Sequence, residues 1–258
     1  MRLGGAATTA GYSLVSLQSV DSTNRLALDL AQQAGADRTW VVSEEQRAGR
    51  GRQGRTWASP PGNFYGSLLL VAPCPTRDLP KLGFVAGVAL ADTVRSLSLR
   101  GPVHLKWPND LMAGNAKLAG MLLEGRAMAD GRMAIAIGIG LNIANAPPVS
   151  GRQTTSLGEL GVHADRREVF RGLSDRVAER LDQFAGGTGF ALIRDAWTER
   201  TLPLGTAISV QLASGLRGGR FAGIDASGQL LLDTAAGRIA VEAGDVLLNA
   251  SESAFDHG

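Results

Sequence analysis

The sequence predicts an α+β protein in which residues 1–202 form a central mixed β-sheet with flanking helices and residues 203–258 form a small β-barrel. Three observations lead there. Strand-like and helix-like apolar runs are interspersed up to about residue 200, so helices must cover a sheet. Two strand-like runs, Ala116 to Gly125 and Met133 to Asn142, are joined by the polar turn Ala129-Asp130-Gly131 and so form a hairpin feeding that sheet. After Pro203 the pattern changes to short β-rich runs between glycine turns, a module of about fifty residues.

In chain order, Asp21-Ser22-Thr23-Asn24 supplies capping side chains just ahead of Leu26, Leu28, Leu30 and Ala31, which predicts a helix from Ser22 or Thr23 to Gly35. Thr39 to Glu44 and Phe64 to Ala72 read as strands, leaving residues 47 to 63 as a long loop. Loops of that length in compact domains are usually functional. Leu79 to Leu99 reads as a core helix with Asp92 facing out, and Val103 to Trp107 as a strand that stops at a Pro-Asn-Asp turn. Asp165 with Glu168 resembles a capping box, opening a helix whose Val169, Leu173, Val177 and Leu181 share one stripe; Phe190 to Glu199 forms another. The barrel runs are Ile208 to Leu212, Arg220 to Ile224, Gln229 to Leu232, Ile239 to Val241 and Val246 to Leu248.

Composition removes several function classes. Twenty-six basic against 24 acidic residues leave a formal charge of +2, too little to suggest by itself a protein that lives on nucleic acid or anionic membrane. A single cysteine, Cys74, forms no internal disulfide and no multi-cysteine zinc site, which fits a reduced, cytoplasmic protein. Met1 to Ser13 lacks the apolar core of a secretory signal, and no run approaches the ~20 apolar residues that span a bilayer. No helix-turn-helix fits before residue 20, so DNA binding is not expected. His104, His163 and His257 have no metal-ligand spacing.

Positive charge is instead local. Residues 46 to 62 place arginines at 47, 50, 52 and 55 among glycines at 49, 51 and 54. Glycine lets backbone amides approach a phosphate and arginine offers it bidentate donors. Gly49-x-Gly51-x-x-Gly54 matches a dinucleotide fingerprint and the same stretch nearly matches a P-loop, but Ser59-Pro60-Pro61-Gly62 blocks the helix that both require. Taken alone, such a run also suits a flexible RNA-binding loop. Lys106-Trp107-Pro108-Asn109-Asp110 marks a strand end, and Lys117 opens a strand, where a lysine is usually just solvated. Gly138 and Gly140 interrupt an apolar strand, which suggests close approach of a ligand or another backbone.

Ser22-Thr23-Asn24, the Gly49 to Trp57 loop with Ser59-Pro60 and Gly62, Lys106 to Asp110, Lys117-Leu118-Ala119-Gly120 and Gly140-Leu141-Asn142, in that order, resemble the biotin protein ligases. The resemblance runs from about Ser19 to the C-terminus. It implies a sheet domain shared with lipoate ligases, an SH3-like barrel, and two half-reactions: biotin and MgATP give biotinyl-5′-AMP and pyrophosphate, then a lysine of the biotin carboxyl carrier protein displaces AMP. It implies that Ser22, Thr23, Asn24, Gln46, Gly120 and Gly138 line the biotin site, and that Arg50, Gly51 and Arg52 close over biotin and adenylate. Lys117 would contact the biotin carboxylate and the α-phosphate; Arg55, Trp57, Lys106, Asn109 and Asn142 would lie on the nucleotide side. Asp110 would bind magnesium or orient the reacting groups. Lys117, Arg50, Arg52 and Asp110 are thus the expected catalytic set, with cations placed where like charges meet.

Many bacterial relatives carry an N-terminal DNA-binding segment, so a ligase without repressor function is expected, as a monomer or a ligand-induced homodimer. Lys117→Ala is expected to lose most of the adenylation rate with the fold intact. The alternatives are a lipoate or other acyl ligase, a biotin sensor that transfers nothing, and a nucleic-acid-binding module built on the arginine loop.

Overall fold

The computed structural model describes residues 1–247 apart from 34, 98, 100 and 150; the expected strand end Leu248 and His257 lie outside the described residues. The elements are α1 (Gly5–Thr9), β1 (Ser13–Val20), α2 (Thr23–Leu30), β2 (Thr39–Gln46), β3 (Phe64–Val71), α3 (Leu82–Arg95), β4 (Val103–Lys106), β5 (Asp110–Ala113), β6 (Ala116–Ala127), β7 (Met133–Leu141), α4 (Arg166–Phe184) and α5 (Phe190–Thr198). β8 (Ala207–Leu212), β9 (Gly215–Ile224), β10 (Leu230–Thr234), β11 (Gly237–Val241) and β12 (Asp245–Leu247) follow.

The first seven strands form one sheet in the order β1-β2-β3-β7-β6-β5-β4. β1 and β2 are parallel because α2 crosses between them; the remaining neighbours are antiparallel, so the sheet is mixed as expected. Alternation along the strands sends side chains to two cores. Val41, Leu69, Ala134 and Ala136 pack against Ala27, Leu28 and Ala31 around α2, whereas Trp40, Val42, Leu68, Leu70, Ile135 and Ile137 join the larger core with α3, α4 and α5. Burial on both faces is why these strands read as continuous apolar runs.

Several expectations change. β1 was not anticipated: as an edge strand it is only half-buried and its apolar signal is thin. Nor was β5, because Pro108, Asn109 and Asp110 read as a turn. The chain does reverse there, but Asp110 already pairs across from Lys106 and Gly120 as the first residue of a strand with neighbours on both sides. The long helix starts at Leu82, after a 3-10 turn over Thr76–Lys81 that contains Pro80, and ends at Arg95. Asp92 does not face solvent. Its Oδ1 accepts from Arg200 Nε at 2.6 Å and its Oδ2 from Arg180 Nη2 at 2.8 Å, because α3 is sandwiched and a carboxylate in that layer needs partners. Asp165 caps α4 through the Arg167 amide, without the reciprocal Glu168 bond of a full capping box.

The second sheet is antiparallel, in the order β11-β10-β9-β8-β12. Its core is continuous with the first, since Ile208, Val210, Phe221, Leu230 and Leu232 belong to the same buried cluster as α3. Trp197 stands edge-on to Phe84 at 5.6 Å and to Phe221 at 6.4 Å. Trp107 Nε1 donates to the Gly228 carbonyl at 3.1 Å. Residue 228 must be glycine: φ is 85° and a Cβ would lie 2.7 Å from Phe84 Cε2. The connecting segment covers the outer edge of β4, with Leu105 N donating to Arg200 O at 2.6 Å and Thr201 Oγ1 to Leu105 O at 2.7 Å. These contacts seat β12 beside the loop of residues 47–63. No helix of the described residues is long and apolar enough to cross a membrane.

Candidate active site

The parallel pairing of β1 and β2 brings Val20 opposite Gln46 at their shared carboxyl ends, and α2 begins directly beyond β1. Ser22 caps this helix, accepting from Arg25 N at 3.4 Å, and the N-terminus of α2 therefore opens beside Gln46. Gln46 Oε1 accepts from Thr23 N at 2.9 Å and Thr23 Oγ1 at 3.0 Å, while its Nε2 donates to Ser59 Oγ at 3.0 Å. Asn24 is equally committed. Its Nδ2 donates to Leu122 O at 3.2 Å and Glu124 Oε2 at 2.8 Å, and Ser67 Oγ lies 2.6 Å from its Oδ1. Two acceptors on β6 thus orient the amide so that its oxygen faces Ser67 and Gly138. The result is a wall of uncharged, preoriented polar groups.

The arginine-glycine loop folds into a hairpin. Arg50 bridges to Thr56, Gly51 N donates to Arg55 O at 2.7 Å, and Trp57 N to Gly49 O at 2.9 Å. The turn over Arg52–Gly54 puts Gln53 and Gly54 at positive φ. The hairpin presses the Trp57 indole onto the glycines of β6 and β7: a Cβ on Gly140 would lie 2.6 Å from Trp57 Cε2, and one on Gly120 3.0 Å from both Trp57 Cζ3 and Lys117 Nζ. A Cβ on Gly138 would meet Asn24 Oδ1 at 2.5 Å. The close approach expected at these glycines is therefore by side chains of the site wall, not by another backbone.

Lys117 departs most from its expectation. Its side chain is only 15% exposed, with Nζ 2.5 Å from Asp110 Oδ1 and 5.2 Å from the centre of the Trp57 ring. Lys106 Nζ lies 3.3 Å from the other Asp110 oxygen. Burial pushes the Lys117 ammonium below its ordinary value; Asp110 opposes this, and the charges of Arg152 and Lys106 add to it. Asn109 Nδ2 donates to Met121 O at 2.6 Å, and Asn142 Nδ2 to Thr155 O at 3.0 Å, so both amides fix the strands beside the cations.

All the expected site residues line one cleft except Lys106, which reaches it through Asp110. Reading the sequence missed Arg152 and Asp245, which also line it, and Glu124, which accepts from Arg50 Nη2 at 3.2 Å as well as from Asn24. Asp245, at the start of β12, binds Arg52, Arg55 and Arg152 together. No local motif announces these three, since each acts through partners far away in the chain. The charged lining comprises Arg50, Arg52, Arg55, Lys117 and Arg152 against Asp110 and Asp245, three positive charges in excess. Arg50, Arg52 and Arg55 line the cleft and pair with carboxylates, whereas Arg47 is exposed and pairs with Asp21. The arrangement can hold a polyanion beside a neutral, hydrogen-bonding ligand.

Comparison with known proteins agrees. The biotin/lipoate A/B protein ligase family matches residues 16–142, and the biotin protein ligase C terminal domain matches residues 206–248. Over 242 residues the chain is 38% identical to a biotin acetyl-CoA-carboxylase ligase of Paracoccus denitrificans, spanning 89% of this chain and 98% of that one. It is 34% identical over 251 residues to the ligase of the same name from Mycobacterium tuberculosis, spanning 92% and 91%. Among solved structures, a biotin protein ligase from Aquifex aeolicus in complex with biotin and ATP superposes with a TM-score of 0.76 at 29% identity, covering 93% of this chain and 99% of that one.

Proposed function

The chain belongs to the biotin protein ligases, and from that premise we propose how its own residues activate biotin with ATP and pass it to a lysine of the biotin carboxyl carrier protein of acetyl-CoA carboxylase. The observation that carries this reading is the juxtaposition of a neutral polar wall and an excess of cations in one cleft. Thr23, Asn24 and Gln46, with Ser22 at the helix cap, suit the ureido ring of biotin. The hydrogen bonds among them keep their dipoles fixed before the ligand arrives, which lowers the cost of binding.

In the first half-reaction a biotin carboxylate oxygen bonds to the α-phosphorus as the bond to the β-phosphate breaks. Two anions approach each other and more charge gathers on the departing pyrophosphate. Lys117 is placed for the first problem: Asp110 and Trp57 fix its ammonium, and Lys106 shares the carboxylate so that Asp110 does not fully cancel it. Arg50, Gly51 and Arg52 form the hairpin over the acyl-adenylate, with Arg55 on the phosphate side; Asn109 and Asn142 support the nucleotide face. In the second half-reaction the carrier lysine amine attacks the acyl carbon, AMP leaves with the C–O electron pair, and the amine loses a proton. The hairpin keeps water from the mixed anhydride until that amine arrives.

Magnesium would enter on the triphosphate. Both oxygens of Asp110 face ammonium groups, which disfavours a further cation there, so we assign Asp110 to positioning Lys117 and leave magnesium to the phosphates. We place the boundary between sheet domain and barrel at 202/203. A ligand-induced homodimer would pair at β1, an outer strand of the sheet. Sedimentation with and without biotin plus ATP tests this, and an unchanged mass would exclude it. The function itself is tested by biotin-dependent exchange of labelled pyrophosphate into ATP, with lipoate and octanoate as controls. Exchange with biotin alone is expected; exchange with none of the acids would reduce the protein to a binding module.

A further inference from the structure

Asp245 is the most heavily shared anion in the cleft and it comes from the barrel. Its Oδ2 lies 2.5 Å from Arg55 Nη2 and 3.1 Å from Arg152 Nη2, and its Oδ1 lies 3.1 Å from Arg52 Nη1. One guanidinium would neutralise it. Three leave a surplus of positive charge directed into the cleft that all of them line. Arg152 belongs to no helix or strand, and its side chain is 30% exposed, so core packing does not explain its place. Its backbone, by contrast, is tied to the reaction centre. Lys117 N donates to Gln153 O at 2.9 Å and Thr155 N to Lys117 O at 3.0 Å, so the segment carrying Arg152 runs beside the lysine assigned to the α-phosphate.

We propose that Arg152 is a ligand of the β- and γ-phosphates of ATP, and that Asp245 is the carboxylate against which those phosphates compete for Arg152, Arg55 and Arg52. The proposal rests on reading the cleft as an ATP site and assigns a task to the barrel. A polyphosphate carries more charge and more acceptor oxygens than one carboxylate, so it takes the arginines as it binds. When pyrophosphate departs, Asp245 takes them back, which lowers the barrier to product release. The barrel then contributes an exchange partner to the site.

Two substitutions with opposite expected signs test this. Binding of inorganic pyrophosphate, with magnesium, is measured by calorimetry without biotin, and biotin binding is measured separately. Arg152→Ala is expected to weaken pyrophosphate binding about tenfold or more and to raise the KM for ATP, leaving biotin affinity unchanged; Arg152→Lys recovers part of the loss. Asp245→Asn, which removes the competing charge at nearly constant shape, is expected to tighten pyrophosphate binding several-fold. If Arg152 and Asp245 merely fastened the loop to the barrel, both substitutions would weaken binding together. That result, or unchanged binding in both, overturns the proposal. Should Arg152→Ala fail to fold, Arg152→Lys and Asp245→Asn still carry the opposite signs. Absence of biotin-dependent exchange in the unsubstituted protein would count against the ligase reading instead, because pyrophosphate binding is read without biotin.

Discussion

At Lys117 one substitution has two consequences. Removing the ammonium takes away the cation nearest the reacting carboxylate, and Lys117→Ala is expected to slow pyrophosphate exchange by about a hundredfold or more. It also leaves the buried Asp110 with only the more distant Lys106. A loss of about 1–3 kcal/mol in stability is expected alongside, measurable by urea unfolding. A fully stable variant would mean that Asp110 is solvated there. The fold itself is still expected to form, with less stability than a solvated lysine at a strand start would imply. Glu124 works at the same scale through others: Glu124→Ala frees both the Asn24 amide and Arg50, and is expected to raise the KM for biotin more than the KM for ATP. An equal rise in both would make it a general stabiliser of the sheet.

Among elements, the glycines of β7 and the salt-bridged layer of α3 set the tolerances. In Gly138→Ala the new methyl would sit 2.5 Å from Asn24 Oδ1, too close to coexist, so α2 or the strand must shift. The expected outcome is at least tenfold weaker biotin binding by calorimetry. Asp92 ties α3 to α4 and to Arg200. Burial raises the affinity of its carboxyl for a proton, but the hydrogen bonds and charges of Arg200 and Arg180 outweigh it and hold the group below the usual carboxylate range. A depressed value contributes stability that is complete above the unfolded-state value, about 3.9, and is lost as pH falls through the folded one. Asp92→Asn should therefore cost about 2 kcal/mol near pH 7, and the gap from the unsubstituted protein should narrow on acidification below about pH 4. Denaturant unfolding across that range reads it; a gap that widened in acid would contradict the assignment.

For the whole molecule, the packing of Phe84, Trp197 and Phe221 and the Trp107 to Gly228 hydrogen bond make the sheet domain and barrel share a core. Scanning calorimetry is expected to give one transition, with calorimetric and van't Hoff enthalpies equal. Two separated transitions would show that the barrel folds independently and that its seat on the sheet is weak. The shared core also makes the barrel's position precise enough for Asp245 to reach the arginine hairpin.

What the sequence determined by itself was local: the cap at Ser22, the glycine-supported arginine loop, the lysine-bearing blocks, the hairpin of β6 and β7 and the change of pattern after Pro203. These signals lie in neighbouring residues, so they survive without knowledge of the fold. Only the tertiary structure decided that Lys117 is packed against Asp110, that Asp110 belongs to a strand paired on both sides, that Asp92 is ion-paired to α4 and Arg200, and that Asp245 meets Arg52 across 193 positions of chain. Turn propensity was right for Pro108 and Asn109 and missed only that a strand begins at Asp110, whose pairing on both sides outweighs its preference for turns. Arg152, Glu124 and Asp245 carry no signature of their own, since charge on a loop or strand end gains its meaning from what packing brings within about 3 Å of it.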